Sequence, residues 1–505
     1  MKIALTNGDC RVLSASKRSE NALSEALAFT QPNYYWTKAY QQHHWDGRRK
    51  FYNKVTKLFP SGLLPYALEV LTENDVHSKI IDRRALHAPS VVLPPERWAT
   101  LLRSRGFDIH PVQCVLQHLA IRAVARQTVG RNQLPWPRGL ISMPTGSGKT
   151  VTAFWACQMF GGHSLYLVPR RDLLLQGADV YRLLTGQEIG QIGMGRWDPK
   201  QITMAMIQTL GPRVRQEDSR VLSFLHRIRT VVVDEAHLVS DNVYQDIVRA
   251  CPRAFVRLAF GGSLLRRTED LGDWFLTGTF GDVLYHLPSR KLRACGLLSK
   301  VSVFMFKVTQ PRTQARYAAA ERLAIHHNEY RNKLGIAAAL HAAESGWITL
   351  LLVQKRAHGE VLRRMFRSYG MRVPFLCYRD PAERRKHYLD AMRREETRIV
   401  IASGIFHMGI DVPVIRCIVR LDGGKSQIAS LQIPGRGMRK KKVINELYLI
   451  DFDDQMSPYF ARHSRDRLKV YREEGYVIRS VEDVEDIPFT NLNQYTAKNA
   501  ARSLS

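Results

Sequence analysis

At 505 residues the chain exceeds one ordinary hydrophobic core, and roughly 150 residues per domain suggests about three units. Apolar residues make up 45% and charged residues 24%, near globular averages, which excludes collagen-like, coiled-coil and wholly disordered readings. Lys plus Arg number 75 against 46 for Asp plus Glu, and a net charge of +29 costs self-repulsion unless a polyanion offsets it, so nucleic acid leads an anionic membrane as the expected partner.

The chain opens on MKIALTNGDCRV, which fits neither a signal peptide nor a transit peptide, and no uncharged apolar run approaches the about 18 residues of a spanning helix. The expectation is a cytoplasmic protein with no membrane partner. Residues 1–95 interleave aromatics with bases, as in YYWTKAYQQHHWDGRRKFYNKVTK (34–57), and read as a small N-terminal α+β accessory domain. Trp45 offers a ring for stacking on unpaired bases, and Arg48 and Arg49 offer charges for phosphates.

From about residue 139, short β-branched runs alternate with longer amphipathic stretches, the rhythm of parallel sheets flanked by helices. Expected strands are Gly139 to Met143, Ser164 to Val168, Ile202 to Met206, Thr230 to Val233 and Phe255 to Phe260. A second set is expected at Trp347 to Val353, Val373 to Cys377, Arg398 to Ala402, Ile415 to Arg420 and Glu446 to Ile450. The α/β segments are placed at 96–290 and 291–475. A tail over 476–505, with an acidic patch VEDVED (481–486) and a polar end, carries no expectation of regular structure. The seven cysteines are scattered singly and read as buried reduced thiols rather than zinc ligands.

Directly after the strand GLISM comes Pro144-Thr145-Gly146-Ser147-Gly148-Lys149-Thr150, followed by the helix-like VTAFWACQMF. Strand, glycine loop and helix are the context in which backbone N–H groups and a helix N-terminus cradle phosphates. Thr145, Gly146, Ser147 and Gly148 would line them, Lys149 would reach the β/γ phosphates of ATP, and Thr150 could ligate Mg²⁺. The strict G-x-x-x-x-G-K-[ST] pattern fails at its first position, where Met143 stands. Further on, TVVV delivers Asp234-Glu235-Ala236-His237 at its C-terminal end, where ligands bind in parallel sheets. Asp234 would hold Mg²⁺, and Glu235 would orient and deprotonate the attacking water. In the second set, QIPGRGMR (432–439) places Arg436 and Arg439 three apart, able to address one transferring phosphoryl group from one helical face.

Taken together these stretches resemble the superfamily 2 helicases, which implies two tandem RecA-like domains with ATP between them and nucleic acid across the top. PTGSGKT, VPRRDLLLQ (168–176), IQTL (207–210), DEAH, LLLVQKRAHGE (350–360), ASGIFHMGIDVP (402–413) and QIPGRGMR stand in the family's motif order. The resemblance implies that Pro169, Arg171, Gln208 and Thr209 touch the sugar-phosphate backbone. Gly409 and Asp411 would contact ATP and, with His237, Ser263 and Gln432, couple it to the DNA. Motif III reads Gly261-Gly262-Ser263, so only Ser263 keeps a hydroxyl; of the upstream adenine-contacting pattern only Gln113 remains. HHWDGRRKFYNKVTKLFPSGLL (43–64) and YLIDFDD with HSRDRLKVYREEGY (448–454 and 463–476) are similar to the UvsW-like phage recombination helicases. This resemblance implies an ATP- and Mg²⁺-dependent, monomeric enzyme that remodels branched DNA in recombination, repair and replication, in a host cytoplasm if phage-encoded. A duplex translocase, an RNA-directed DEAH enzyme and an inactive nucleic-acid-binding scaffold are the alternatives.

Overall fold

Runs such as SLYLV and TVVV have no polar face, so they are stable as strands only when both sides are covered. The computed structural model describes residues 1–31, 34–84, 93–107, 109–236, 243–262, 271–377, 379–403, 414–424 and 445–492. Two compact units divide the chain, Met1–Leu287 and Pro288–Ser505. Among the described residues no helix is long and apolar enough to cross a membrane.

In the first unit an eight-stranded sheet runs in the order Arg196–Asp198, Gly190–Gly193, Ile202–Met206, His163–Val168, Ile228–Val233, Val256–Gly261, Arg138–Ser142, Val283–His286. Its neighbours are parallel except for the edge hairpin Gly190–Gly193 with Arg196–Asp198. The five expected strands are the interior of this sheet, and their C-terminal ends share one edge. The two hairpin strands and Val283–His286 are additions: GQIG and RWD are too short and too polar to stand out, and the latter is an edge strand only half covered.

Residues 2–82 form a four-stranded sheet in the order Leu58–Pro60, Asp9–Ser14, Lys2–Leu5, Lys79–Asp82. Its core, with Ile3, Leu5, Leu23, Phe59 and Leu71, also takes in Val129 and Trp136 from further along the chain. Arg138, 1% exposed, ties this layer to the larger sheet. Its guanidinium donates to the Asn7 carbonyl at 3.1 Å, Ser61 Oγ at 2.7 Å, the Phe280 carbonyl at 3.3 Å and the Thr279 carbonyl, and lies 5.0 Å from the Trp136 ring. A buried cation without a carboxylate depends on every one of those acceptors. Arg138→Met should therefore strand four acceptors and lower stability by at least about 2 kcal/mol, read as a drop in the thermal midpoint.

The second unit holds a seven-stranded, all-parallel sheet in the order Phe375–Leu376, Ile399–Ser403, Ile348–Val353, Ile415–Arg420, Glu446–Asp454, Lys300–Val308, Val477–Val481. Lys300–Val308 was not among the expected strands, although KVSVFMFKV is an apolar run. The expectation of no regular structure after residue 475 is corrected. Val477–Val481 pairs in parallel with Lys300–Val308, and Val484, Ile487 and Leu492 pack into the core. The acids at 482, 483, 485 and 486 are exposed while Val484 and Ile487 between and after them are buried, so the charge run conceals an apolar face. Trp347 Nε1 donates to the Thr490 carbonyl at 2.8 Å and fixes the segment.

Candidate nucleotide-binding site

The strand Arg138–Ser142 is buried throughout and ends at the loop 143–148. Ser147 closes the loop with both its N–H and its hydroxyl on the Pro144 carbonyl, at 3.2 and 2.7 Å. Gly146 and Gly148 have φ of +85° and +87°, a left-handed backbone that a side chain would strain. Gly148 is also the N-cap of the helix Lys149–Phe160, and a Cβ there would lie 2.2 Å from Gln117 Nε2. From Val151 to Phe160 that helix is buried except at Gln158, so the body of the helix is fixed beneath the loop.

Two amides one helical turn apart on Pro111–Arg126 support the loop from behind. Gln113 Nε2 donates to the Gly146 carbonyl and Gln117 Nε2 to that of Ser147, each at 3.4 Å. Gln117 in turn accepts from Trp98 Nε1 at 3.0 Å, and Trp98 stacks on Trp155 with centroids 4.2 Å apart.

Opposite the loop, the strand Ile228–Val233 ends in Asp234 and Glu235. Lys149 Nζ donates to Glu235 Oε1 at 2.8 Å, with both side chains largely shielded. Asp234 accepts from the Glu235 N–H at 2.9 Å and from the Tyr166 hydroxyl at 2.9 Å, and the Thr150 hydroxyl sits beside the same phenol. Burial, and then the negative charge of Glu235, push the Asp234 carboxyl up to about 6 against the pull of Lys149. Glu235 has φ +48°, uncommon for a non-glycine residue and characteristic of constrained functional positions. Arg170 lies within the field of Glu235, and burial draws its guanidinium below the usual range.

These residues fit a nucleoside triphosphate with Mg²⁺. The loop turns at two left-handed glycines, and two shielded acids face it, with the Lys149 ammonium on Glu235 and the Arg170 guanidinium within the field of Glu235. Among the described residues no group of three or more His, Cys, Asp or Glu could hold a metal alone. A cation here would rest on Asp234, Thr150, waters and phosphate oxygens, the coordination habit of Mg²⁺.

Tyr166, Gln117 and Arg170 were missed by the sequence reading. A lone tyrosine inside the aliphatic strand HSLYLV is the signal for the first; Gln117 carries none beyond its one-turn spacing from Gln113.

At the same sheet edge, Gln208 Nε2 donates to the Pro169 carbonyl at 2.6 Å, joining the two expected backbone-contact stretches. Arg171 begins the helix Arg171–Thr185 and is exposed, and Thr209 is half-buried. In the N-terminal layer Trp45 is half-buried, its indole N–H on the Arg48 carbonyl at 2.9 Å, and Arg48 is paired with Glu25. Arg49 is exposed. The ring most open to solvent there is Trp36, 74% exposed, not Trp45.

His237, Ser263, Gly409, Asp411, Gln432, Arg436 and Arg439 lie outside the described residues. The residues just before 425–444 are firmly held: Arg420 binds Asp422 through two bonds of 3.0 and 2.8 Å, and Arg467 donates to the Gly424 carbonyl at 3.1 Å. Arg467 is itself anchored on Asp451 at 2.9 and 3.1 Å.

Residues 115–264 match the family model "type III restriction enzyme, res subunit" and residues 332–441 match "helicase conserved C-terminal domain", together just over half of the chain. The chain belongs to the superfamily 2 helicases. Its two parallel sheets are tandem RecA-like domains. It is 22% identical over 340 residues to a protein named as helicase 22 of Sulfolobus islandicus filamentous virus, covering 62% of this chain and 60% of that one. It is also 22% identical over 377 residues to the ATP-dependent DNA helicase uvsW of Enterobacteria phage T4, covering 68% of this chain and 74% of uvsW. Among solved structures, a fragment described as an HsdR subunit of a type I restriction enzyme from Vibrio vulnificus superposes with a TM-score of 0.54 at 17% identity, over 77% of this chain and 74% of that one.

Proposed function

We propose that the protein is an ATP-dependent DNA helicase or translocase that remodels branched DNA such as forks, four-way junctions, D-loops and R-loops. The observation that carries the ATPase reading is the meeting of Lys149, Glu235, Asp234 and Tyr166 beneath one glycine loop. Lys149 binds the β/γ phosphates, Thr150 and Asp234 hold the cation, and Glu235 accepts a proton from the attacking water. Bound ATP with Mg²⁺ supplies the phosphoryl group and the charge neutralisation. Tyr166 fixes the Asp234 carboxylate, and Gln113 and Gln117 keep the loop open for phosphate. In this reading Arg436 and Arg439 stabilise charge on the transferring group.

Support for DNA comes from the likeness to uvsW and from the N-terminal layer, which Arg138 holds against the sheet carrying the nucleotide site. A panel of matched fork, four-way junction, D-loop and linear duplex, each in DNA and RNA, tests the reading. ATP-dependent strand displacement strongest on branched DNA is the expected result. Equal action on linear duplex would leave a plain translocase, and preference for the RNA fork would make it an RNA enzyme.

Binding to duplex should follow phosphate contacts and not sequence. Log Kobs should fall linearly with log salt at roughly 0.9 per phosphate neutralised, measured by titration at several salt concentrations. Salt-insensitive affinity would contradict the basic surface as a backbone track.

A further inference from the structure

The second unit carries a groove of about 880 Å³ that the nucleotide site does not use. It lies between the C-terminal end of the helix Glu329–Glu344, the helix Arg356–Ser368 and the helix Ala382–Arg393. Pro374 and Ile399 on its floor stand at the N-terminal ends of the strands Phe375–Leu376 and Ile399–Ser403. Val353 and Ser403, paired at the C-terminal ends of the strands Ile348–Val353 and Ile399–Ser403, mark the opposite edge of the same sheet. A five-residue strand at about 3.3 Å per residue sets the groove roughly 16 Å from that edge.

Five arginines and no lysine line it: Arg363, Arg367, Arg372, Arg384 and Arg398. Three have partners. Arg384 pairs with Asp380, Arg398 donates to the Ala343 carbonyl at 3.0 Å, and Arg363 pairs with Glu360 at 2.6 Å. Arg363 Nε is nevertheless buried with no acceptor, and among the described residues Arg367 and Arg372 have no carboxylate within ion-pair reach. One of the two glutamates at the rim, Glu396, is clasped by Arg394 at 2.7 and 3.0 Å. Two rings complete the wall: Tyr369 is 51% exposed, and Arg384 lies 5.8 Å from the centroid of Tyr388.

Planar guanidinium forks suit phosphate oxygens, and exposed aromatic faces suit unstacked bases. An acidic peptide would use the arginines but not the rings. A duplex would present no bases to stack, and the volume is that of a small-ligand site, roughly 300–1,000 Å³. We propose that this groove binds a short segment of single-stranded nucleic acid, with Arg367 and Arg372 on successive phosphates and Tyr369 under a base. The site rests on the reading that the protein works on nucleic acid, and extends it to a contact at the N-terminal ends of these strands.

The test is anisotropy of a labelled twelve-nucleotide oligo-dT with the full chain, titrated without nucleotide over a range of salt. Arg367→Ala/Arg372→Ala should bind at least tenfold more weakly and flatten the salt slope by about 1.4, at roughly 0.7 per single-strand phosphate. Tyr369→Ala should weaken binding about tenfold with the slope unchanged, a loss that reduced positive charge does not explain, and Tyr369→Phe should restore it. ATP hydrolysis without nucleic acid and the thermal midpoint should match wild type in all three. Wild-type affinity and slope in the alanine variants would overturn the groove as a nucleic-acid site and leave an acidic partner segment as its occupant. If DNA stimulates wild-type ATPase while the variants bind normally, the groove assignment falls and the motor reading stands. If wild type neither binds oligo-dT nor responds to any nucleic acid, both fall.

Discussion

Lys149→Ala and Glu235→Gln are each expected to reduce nucleic-acid-stimulated ATP hydrolysis by roughly 10²–10⁴-fold, by different routes. The two side chains face each other at 2.8 Å, so a triphosphate entering the loop competes with Glu235 for the Lys149 ammonium. Losing Lys149 removes the phosphate contact and also the charge that restrains the Asp234 carboxyl, which burial and Glu235 already push up. Nucleotide affinity should fall with turnover. Glu235→Gln keeps the side-chain shape and the left-handed backbone but removes the proton acceptor, so it should bind ATP at near wild-type affinity and fail to hydrolyse it. Affinity for a fluorescent ATP analogue beside steady-state phosphate release separates the cases. Normal turnover by either variant would remove the site.

The nucleotide loop and the acid pair were legible because each needs a fixed residue type at a fixed place on a strand end. PTGSGKT and DEAH come directly after buried strands, and in the fold those strands deliver Lys149 within 2.8 Å of Glu235. What the sequence hid is what depends on distant chain segments. Tyr166 reads as one more apolar strand residue until its hydroxyl is seen on Asp234, 68 positions away. Arg138 reads as a surface base ahead of a strand, yet its acceptors Asn7 and Ser61 lie 131 and 77 positions away. Similarly, Trp45 stands out among bases, but its indole is spent on the Arg48 carbonyl, while Trp36 carries the open ring. Composition misled at the C-terminus, where four acids around Val484 mask its place in the core. These facts also constrain experiment. Deleting residues 1–95 would strip Arg138 of two acceptors, so point substitutions at Trp36 and Arg49 are the sounder probe of that layer.

Arg436→Ala is expected to cost roughly 10³-fold or more in turnover with little change in nucleotide affinity, the signature of a charge placed on the transferring phosphoryl group. The residue lies outside the described stretches, and the described backbone before its segment ends at Gly424. Arg420 and Arg467, at 0% and 1% exposure, fix Asp422 and the Gly424 carbonyl. Arg436→Lys should not rescue activity, because an ammonium lacks the planar fork that meets two oxygens at once. The measurement is kcat at saturating ATP beside the Kd of the same nucleotide, with the thermal midpoint as a check on folding. Should affinity collapse while turnover at saturation stays intact, Arg436 is a ground-state ligand and the charge-stabilising role passes to Arg439 or to neither.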